Sequence, residues 1–66
     1  MRDEKLYLHD IIEAANLIES FLANLSEKEF TLNDLVQSAV LYQLSIIGEA
    51  SSKISAEIRN RYSQVE

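Results

Sequence analysis

Few residues of this 66-residue chain have types that could do chemistry. His9 is the only histidine and there is no cysteine, so neither a histidine-rich metal site nor a thiolate zinc site can be built, and we expect no cofactor. Arg59 and Arg61 form the only dense basic cluster; they could contact a phosphate, although a charged helix end is the commoner explanation. None of these groups makes a catalytic site by itself, and we expect His9 to be a surface residue.

Gly48 and Glu49 form a second candidate site. Gly48 is the only glycine of the chain, and it lies where the apolar spacing is helical, a position in which glycine costs about 0.5–1 kcal/mol relative to alanine. Ala50, Ile54 and Ile58 continue that spacing, so we expect the helix to pass through Gly48 and another backbone to approach it closely. Glu49 would then lie beside a helix crossing, where it either accepts a structural hydrogen bond or lines a functional cleft.

Length and composition indicate one small domain, or a fragment of one, over residues 1–66. The net charge of −5 gives no basic footprint for nucleic acid. No apolar run approaches the roughly 20 residues that span a bilayer, and the charged N-terminus lacks the apolar core of a signal peptide, so we expect no membrane partner and a cytoplasmic location. Because so short a chain without disulfides rarely builds a sufficient core, we expect a homo-oligomer, either a dimer or a higher assembly.

The N-terminal part of the chain predicts a long helix over about residues 3–25. Apolar residues recur there every three or four positions and predict a single stripe, formed by Leu8, Ile11, Ala15, Ile18, Leu22 and Leu25. Three further residues widen it: Ile12, Leu17 and Phe21. We expect the opposite, solvated side to carry Glu4, Asp10, Glu13, Asn16 and Ser20.

Two capping patterns follow this helix. Ser26 with Glu29, and Thr31 with Asp34, both have the spacing of a capping box, in which a side chain at each end bonds the other's backbone N–H. Two helix starts so close together predict a short helical turn over residues 27–30 and then a second long helix.

The second long helix is predicted over about residues 33–54, and Ser55 is interpreted as the cap of a last short turn over residues 55–62. Because the connection is short, the two long helices should lie antiparallel. The apolar residues of the second helix divide into two faces. One face holds our candidate interface residues, Val36, Val40, Leu44 and Ile47, and the other holds Leu35, Ala39, Tyr42, Ile46 and Ala50. A helix that is apolar on two sides is buried on two sides, so one face can meet the first helix and the other needs later chain or a second copy.

The segment "AVLYQLSIIGEASSKIS", with "SEKEF" before it and "RNRY" after it, resembles the HepT-like proteins of the HEPN superfamily. The block "IIGEA" is its most specific part, and the resemblance extends over about the whole chain. Members of this superfamily are α-helical bundles. The resemblance therefore implies an all-α fold in which the two long antiparallel helices and the short turns form part of a HEPN-type bundle.

The resemblance also implies a function. HepT-like proteins are homodimeric toxins of two-gene toxin–antitoxin systems, and their partner is a minimal nucleotidyltransferase antitoxin that can add adenylate units to a tyrosine of the toxin. The toxin is a metal-independent endoribonuclease. Its catalytic motif is an arginine followed four to six residues later by a histidine, which acts as general acid and base while the arginine stabilises charge on the phosphate.

That motif is missing where the family has it, after the Arg–Tyr segment. Here Gln, Val and Glu occupy residues 64–66, and no histidine follows Arg59. Arg2 and His9 have a similar spacing, but they lie at the start of the first helix, two turns apart. We therefore expect the N-terminal portion of a HepT-like toxin, inactive alone and without an assigned catalytic residue, that acts on RNA only if the missing C-terminal half is present.

Two other interpretations stay open. The chain could be a non-enzymatic helical interaction or dimerisation module that binds a nucleotidyltransferase, or a plain structural bundle with no preserved function. Co-purification with a nucleotidyltransferase would favour the toxin or the interaction module over the plain bundle.

Overall fold

The computed structural model describes residues 3–63, which form three helices and no strand. Helix α1 spans Glu4–Leu22, α2 spans Glu27–Thr31 and α3 spans Asp34–Tyr62. The predicted all-α class, with two long helices joined by a short helical turn, is confirmed.

Helix α1 begins where the sequence supplies a cap. The backbone N–H of Lys5 donates to the Asp3 carboxylate over 3.0 Å, and Glu4 adds negative charge in the first turn, where the helix dipole favours it. The helix ends at Leu22, earlier than the predicted end at Leu25. Leu25 is nevertheless half-buried, so its apolar side chain is covered without being part of the helix.

Helix α2 begins with the capping box that the sequence predicts. The Ser26 backbone N–H donates to Glu29 Oε1 over 2.9 Å, and the Glu29 backbone N–H donates to Ser26 Oγ over 3.1 Å. The hydrogen bonds from Ser26, chiefly that of its backbone N–H, lower the pKa of the Glu29 carboxyl. The ionised carboxylate is the form that holds this helix start.

The second predicted capping box, between Thr31 and Asp34, is wrong. Asn33 caps α3 instead, because its Oδ1 accepts from the Val36 backbone N–H over 3.0 Å. The Thr31 hydroxyl donates backward to the Glu27 carbonyl over 2.9 Å, within α2. A threonine at the end of one helix therefore bonds into that helix and is not available to start the next.

Helix α3 is continuous, so the predicted end near residue 54 and the separate turn over residues 55–62 are wrong. It runs for 29 residues to Tyr62. Ser55 is exposed within the helix and does not cap it. Ile54 and Glu57 are both half-buried, so the face that lies against α1 continues past the expected break.

The two long helices are antiparallel, as predicted. The Arg61 guanidinium near the end of α3 forms an ion pair with the Glu4 carboxylate at the start of α1. We call the contact between these helices the α1–α3 interface; it holds the two buried side chains of residues 3–63, Ala14 at 2% exposure and Ala50 at 4%. Half-buried residues at helical spacing line the rest of it, including Tyr7, Ile11, Ile18, Val40, Ile47 and Ile54.

Two of the six residues predicted for the apolar stripe on α1 do not face α3; the other four are half-buried as expected: Ile11, Ile18, Leu22 and Leu25. Leu8 and Ala15 were expected to face the second helix, but Leu8 is 49% exposed and Ala15 is exposed, while Tyr7 and Ala14 take the contact positions. The small Ala14 and Ala50 side chains let the two helices approach closely, which a leucine in either place would prevent. The result is a rod of 52 × 16 × 16 Å.

Candidate functional site

A small cleft lies between α1 and α3. Tyr7 and Asp10 line it from α1, and Ile46, Glu49 and Ala50 line it from α3; its volume is about 100 Å³. The antiparallel pairing brings these residues together, because the second turn of α1 lies beside residues 46–50 of α3. Glu49 therefore lines a cleft, and the functional role considered for it from the sequence stays a prediction.

The cleft is acidic. Asp10 is half-buried and Glu49 is exposed, and both residues line the same small space. The prediction that Asp10 lies on the solvated side of α1 is wrong, and Tyr7 and Asp10 each interact with another group. Two carboxylates repel an RNA phosphate, so this arrangement suits a cationic group better than nucleic acid.

Sequence reasoning missed Tyr7 and Asp10 as lining residues of this cleft, although the sequence contained a signal for them. Tyr7 and Asp10 are three residues apart, so they lie on one face of α1. What the sequence did not supply was the register of the two helices, which decides that Glu49 meets this pair.

Gly48 lies on the side of α3 that points away from α1. It is exposed, and a Cβ placed on it would meet no heavy atom within 4 Å outside its own helix. Within residues 3–63, no other segment approaches this glycine. The close approach that its position predicts is therefore not supplied by the described fold.

The four candidate interface residues differ in their exposure. Val36, Val40 and Ile47 are half-buried, and Val40 and Ile47 belong to the α1–α3 interface. Leu44 instead is 51% exposed and lies one turn from Gly48. The predicted face thus supplies contacts within the chain at three positions and an open position at the fourth.

The two clustered arginines do not converge. Arg61 is held by Glu4, whereas Arg59, two residues earlier on the same helix, projects to a different side. Both guanidinium groups are on exposed residues, but they cannot clamp one phosphate from these positions.

His9 is an exposed residue of α1, and Arg2, its possible catalytic partner by spacing, lies outside the described residues. Across residues 3–63, no cluster of histidine, aspartate and glutamate is placed to hold a metal ion. None of the helices in the described part of the chain is both long and apolar enough to cross a membrane.

The family model and the similar proteins found by comparison point to the same family. A family model described as Ribonuclease HepT-like matches residues 11–66. The RNase candidate MJ1380 of Methanocaldococcus jannaschii is 39% identical over 97% of this chain and 59% of its own length. The RNase candidate MJ1216 of the same organism is 39% identical over 97% of this chain and 53% of its own length. A ribonuclease HepT candidate from Thermococcus cleftensis is 38% identical over 97% of this chain and 58% of its own length.

No solved structure matches the chain. The chain spans little more than half the length of the curated relatives described above. The family model nevertheless covers most of the chain, including the cleft residues of α3 and the "IIGEA" block. On this match, the chain belongs to the HepT-like ribonuclease family.

Proposed function

We propose that this chain is the N-terminal helical part of a HepT-like ribonuclease, the toxin of a toxin–antitoxin pair, and that it does not cut RNA alone. The observation that carries the proposal is the family match over residues 11–66, a segment that contains no histidine. The one histidine of the chain, His9, precedes the matched segment. The general acid and base of the family's reaction therefore has no counterpart in the part of this chain that defines its family.

The charges of the described residues support this proposal. Arg61 pairs with Glu4, Arg59 points elsewhere, and the cleft between the long helices carries Asp10 and Glu49. These groups offer no convergent cationic site at which charge on a cleaved phosphate would be stabilised. The segment acts as a scaffold, and an arginine and a histidine from outside it supply the catalysis.

The test is RNA cleavage by the purified 66-residue chain in the presence of a metal chelator, which suppresses contaminating metal-dependent nucleases. We expect no cleavage above a buffer control, and the His9→Ala variant should behave identically. Cleavage that disappears in His9→Ala would show that His9 is catalytic, with Arg2 as its candidate partner. Cleavage that persists in His9→Ala would contradict the proposed location of the chemistry altogether.

The proposed partner is a nucleotidyltransferase antitoxin, and it needs a separate test. Co-expression of the chain with a nucleotidyltransferase encoded beside it should yield a complex that survives size-exclusion chromatography. Binding without ribonuclease activity is expected of the chain in either case, so the decisive comparison is with a version extended to the length of the relatives. If the extended version also fails to cut RNA, the chain is better described as an interaction module.

A further inference from the structure

Helix α2 has few apolar contacts to hold it folded. It spans five residues, Glu27–Thr31, and none of them is buried. A helix shorter than about 12 residues is marginal in water unless packing supports it. The two buried side chains of residues 3–63, Ala14 and Ala50, lie in the α1–α3 interface instead. The stability of α2 therefore depends heavily on the polar contacts at its two ends.

The end of α2 is held by a side chain of α3. The last carbonyls of a helix have no donor within that helix, so they need one from elsewhere. Gln37 Nε2 donates to the Phe30 carbonyl over 2.8 Å and to the Thr31 carbonyl over 2.9 Å. A side-chain amide nitrogen carries two N–H groups, so both donors of Gln37 are used on α2. One side chain thus joins the two helices across the corner between them.

The start of α3 positions Gln37 for this contact. The Asn33 side chain caps the helix, and the Gln37 backbone N–H donates to the Asn33 carbonyl over 3.0 Å. Gln37 therefore lies in the first turn of α3, beside the end of α2. Its side chain is half-buried, so water competes less for its amide hydrogens than at an exposed position. Within residues 3–63, it is the only side chain of α3 that donates a hydrogen bond to α2.

The two ends of α2 are thus fixed in different ways. The start is held by the Ser26–Glu29 capping box, which is local, and the end is held by Gln37 from α3. We propose that Gln37 is a latch: α2 opens as one unit when the Gln37 amide breaks its two hydrogen bonds, while α1 and α3 stay paired. Local opening of this kind occurs where few apolar contacts hold an element.

Opening of the latch changes the surface at this end of the molecule. Phe30 is the half-buried aromatic residue of α2, and it would become exposed when α2 leaves α3. The α1–α3 interface lies outside the moving segment, so the rest of the fold keeps its contacts. The inference goes beyond the proposed function, because the latch needs no ribonuclease activity.

The three lysines of the chain allow the opening of each helix to be measured separately. Lys5 lies in α1, Lys28 in α2 and Lys53 in α3. A lysine-specific protease cuts only after several residues around the lysine have left their helix. Under native conditions, the initial rate of cleavage at each lysine therefore reports how often that helix opens. Mass spectrometry of the fragments assigns each cut, and Lys53 serves as the internal control for the α1–α3 pair.

The first test removes the latch. Gln37→Met keeps the length of the side chain and removes both donors, so it should raise the rate of cleavage at Lys28 by about tenfold. The rate at Lys53 should change less than about twofold. Gln43→Met is the matched control, because Gln43 is half-buried on the same helix and has no hydrogen bond to α2. An unchanged rate at Lys28 in Gln37→Met, or an equal rise at Lys28 and Lys53, would overturn the proposal.

The second test asks whether α2 opens as one unit. Ser26→Ala removes the hydroxyl oxygen that accepts from the Glu29 backbone N–H, and it should raise the rate of cleavage at Lys28 about fivefold. If one opening breaks both ends, the double variant with Gln37→Met should show the product of the two single increases. An increase near their sum would mean that the two ends open separately, and a single opening unit would be wrong.

Discussion

The two sides of α3 differ in packing: one side is packed against α1, and the other is exposed to solvent. Ala50 lies on the inner side and is 4% exposed against α1. Gly48 lies two residues away on the outer side, where an added Cβ would meet no heavy atom within 4 Å outside its own helix. Both are small residues at positions where a helix can be approached closely. In the described fold, α1 packs closely against Ala50, whereas no segment packs against Gly48.

This difference separates two reasons for a small residue in a helix. At Ala50 the reason is in the structure, because α1 occupies the space that a larger side chain would need. At Gly48 the described residues give no such reason, although glycine weakens the helix there. The comparison predicts opposite responses to enlargement at the two positions.

Enlarging the inner position should have the largest effect. Ala50→Leu would force α1 and α3 apart and lower the free energy of unfolding by about 1–3 kcal/mol, a large part of what so short a chain can have. Thermal unfolding followed by circular dichroism on dilute protein would measure it. Ala56→Leu is the matched control, because Ala56 is exposed on the same helix and should tolerate the change. Equal losses in both variants would mean that the tight interface is not at Ala50.

Truncating one apolar residue on each face should also give unequal effects. Ile47→Ala removes a half-buried side chain from the α1–α3 interface and should cost about 1–2 kcal/mol, less than for a fully buried isoleucine. Leu44→Ala removes an exposed one and should cost less than about 0.5 kcal/mol in the folding of a single chain. Urea unfolding at a concentration where the chain is monomeric separates the two. A Leu44→Ala loss as large as that of Ile47→Ala would place Leu44 in the fold of the monomer.

The sequence was sufficient to predict features that rest on local chemistry. The Ser26–Glu29 capping box is a contact between residues three positions apart, so its spacing alone identifies it. The all-α class follows from a helical apolar period with no proline. These predictions needed no knowledge of which helix faces meet.

Predictions that depend on a partner surface were less successful. Apolar residues cover more than half of the circumference of α1, so Leu8 with Ala15 and Tyr7 with Ala14 were equally good stripes by spacing. The choice is made by packing against α3, which buries Ala14 and leaves Leu8 49% exposed. Likewise, Ser55 is compatible with a cap or with a helix interior, and the continued burial of Glu57 beside α1 decides for the interior. The acidic cleft depends on the same helix register and could not be predicted without it.

Enlarging the residue at the outer position, Gly48, should stabilise the monomer, whereas enlarging Ala50 should destabilise it. Gly48→Ala should raise the free energy of unfolding of the monomer by about 0.5–1 kcal/mol, because alanine is the better helix former and its Cβ meets open space. Thermal denaturation of dilute protein, followed by circular dichroism, measures this gain. A loss of monomer stability would show that the described fold does use Gly48.

The ion pair at the open end of the α1–α3 interface should have the smallest effect. Arg61 and Glu4 hold the start of α1 to the end of α3, but their side chains are 55% and 32% exposed, so water and salt screen their attraction. Arg61→Gln should therefore lower the free energy of unfolding by only about 0.5 kcal/mol. In a double-mutant cycle with Glu4→Gln, the coupling should fall toward zero in high salt. A coupling that is large and insensitive to salt would mean that this end is desolvated, and the inner face of α3 would then extend, as a buried surface, to the last turn of the helix.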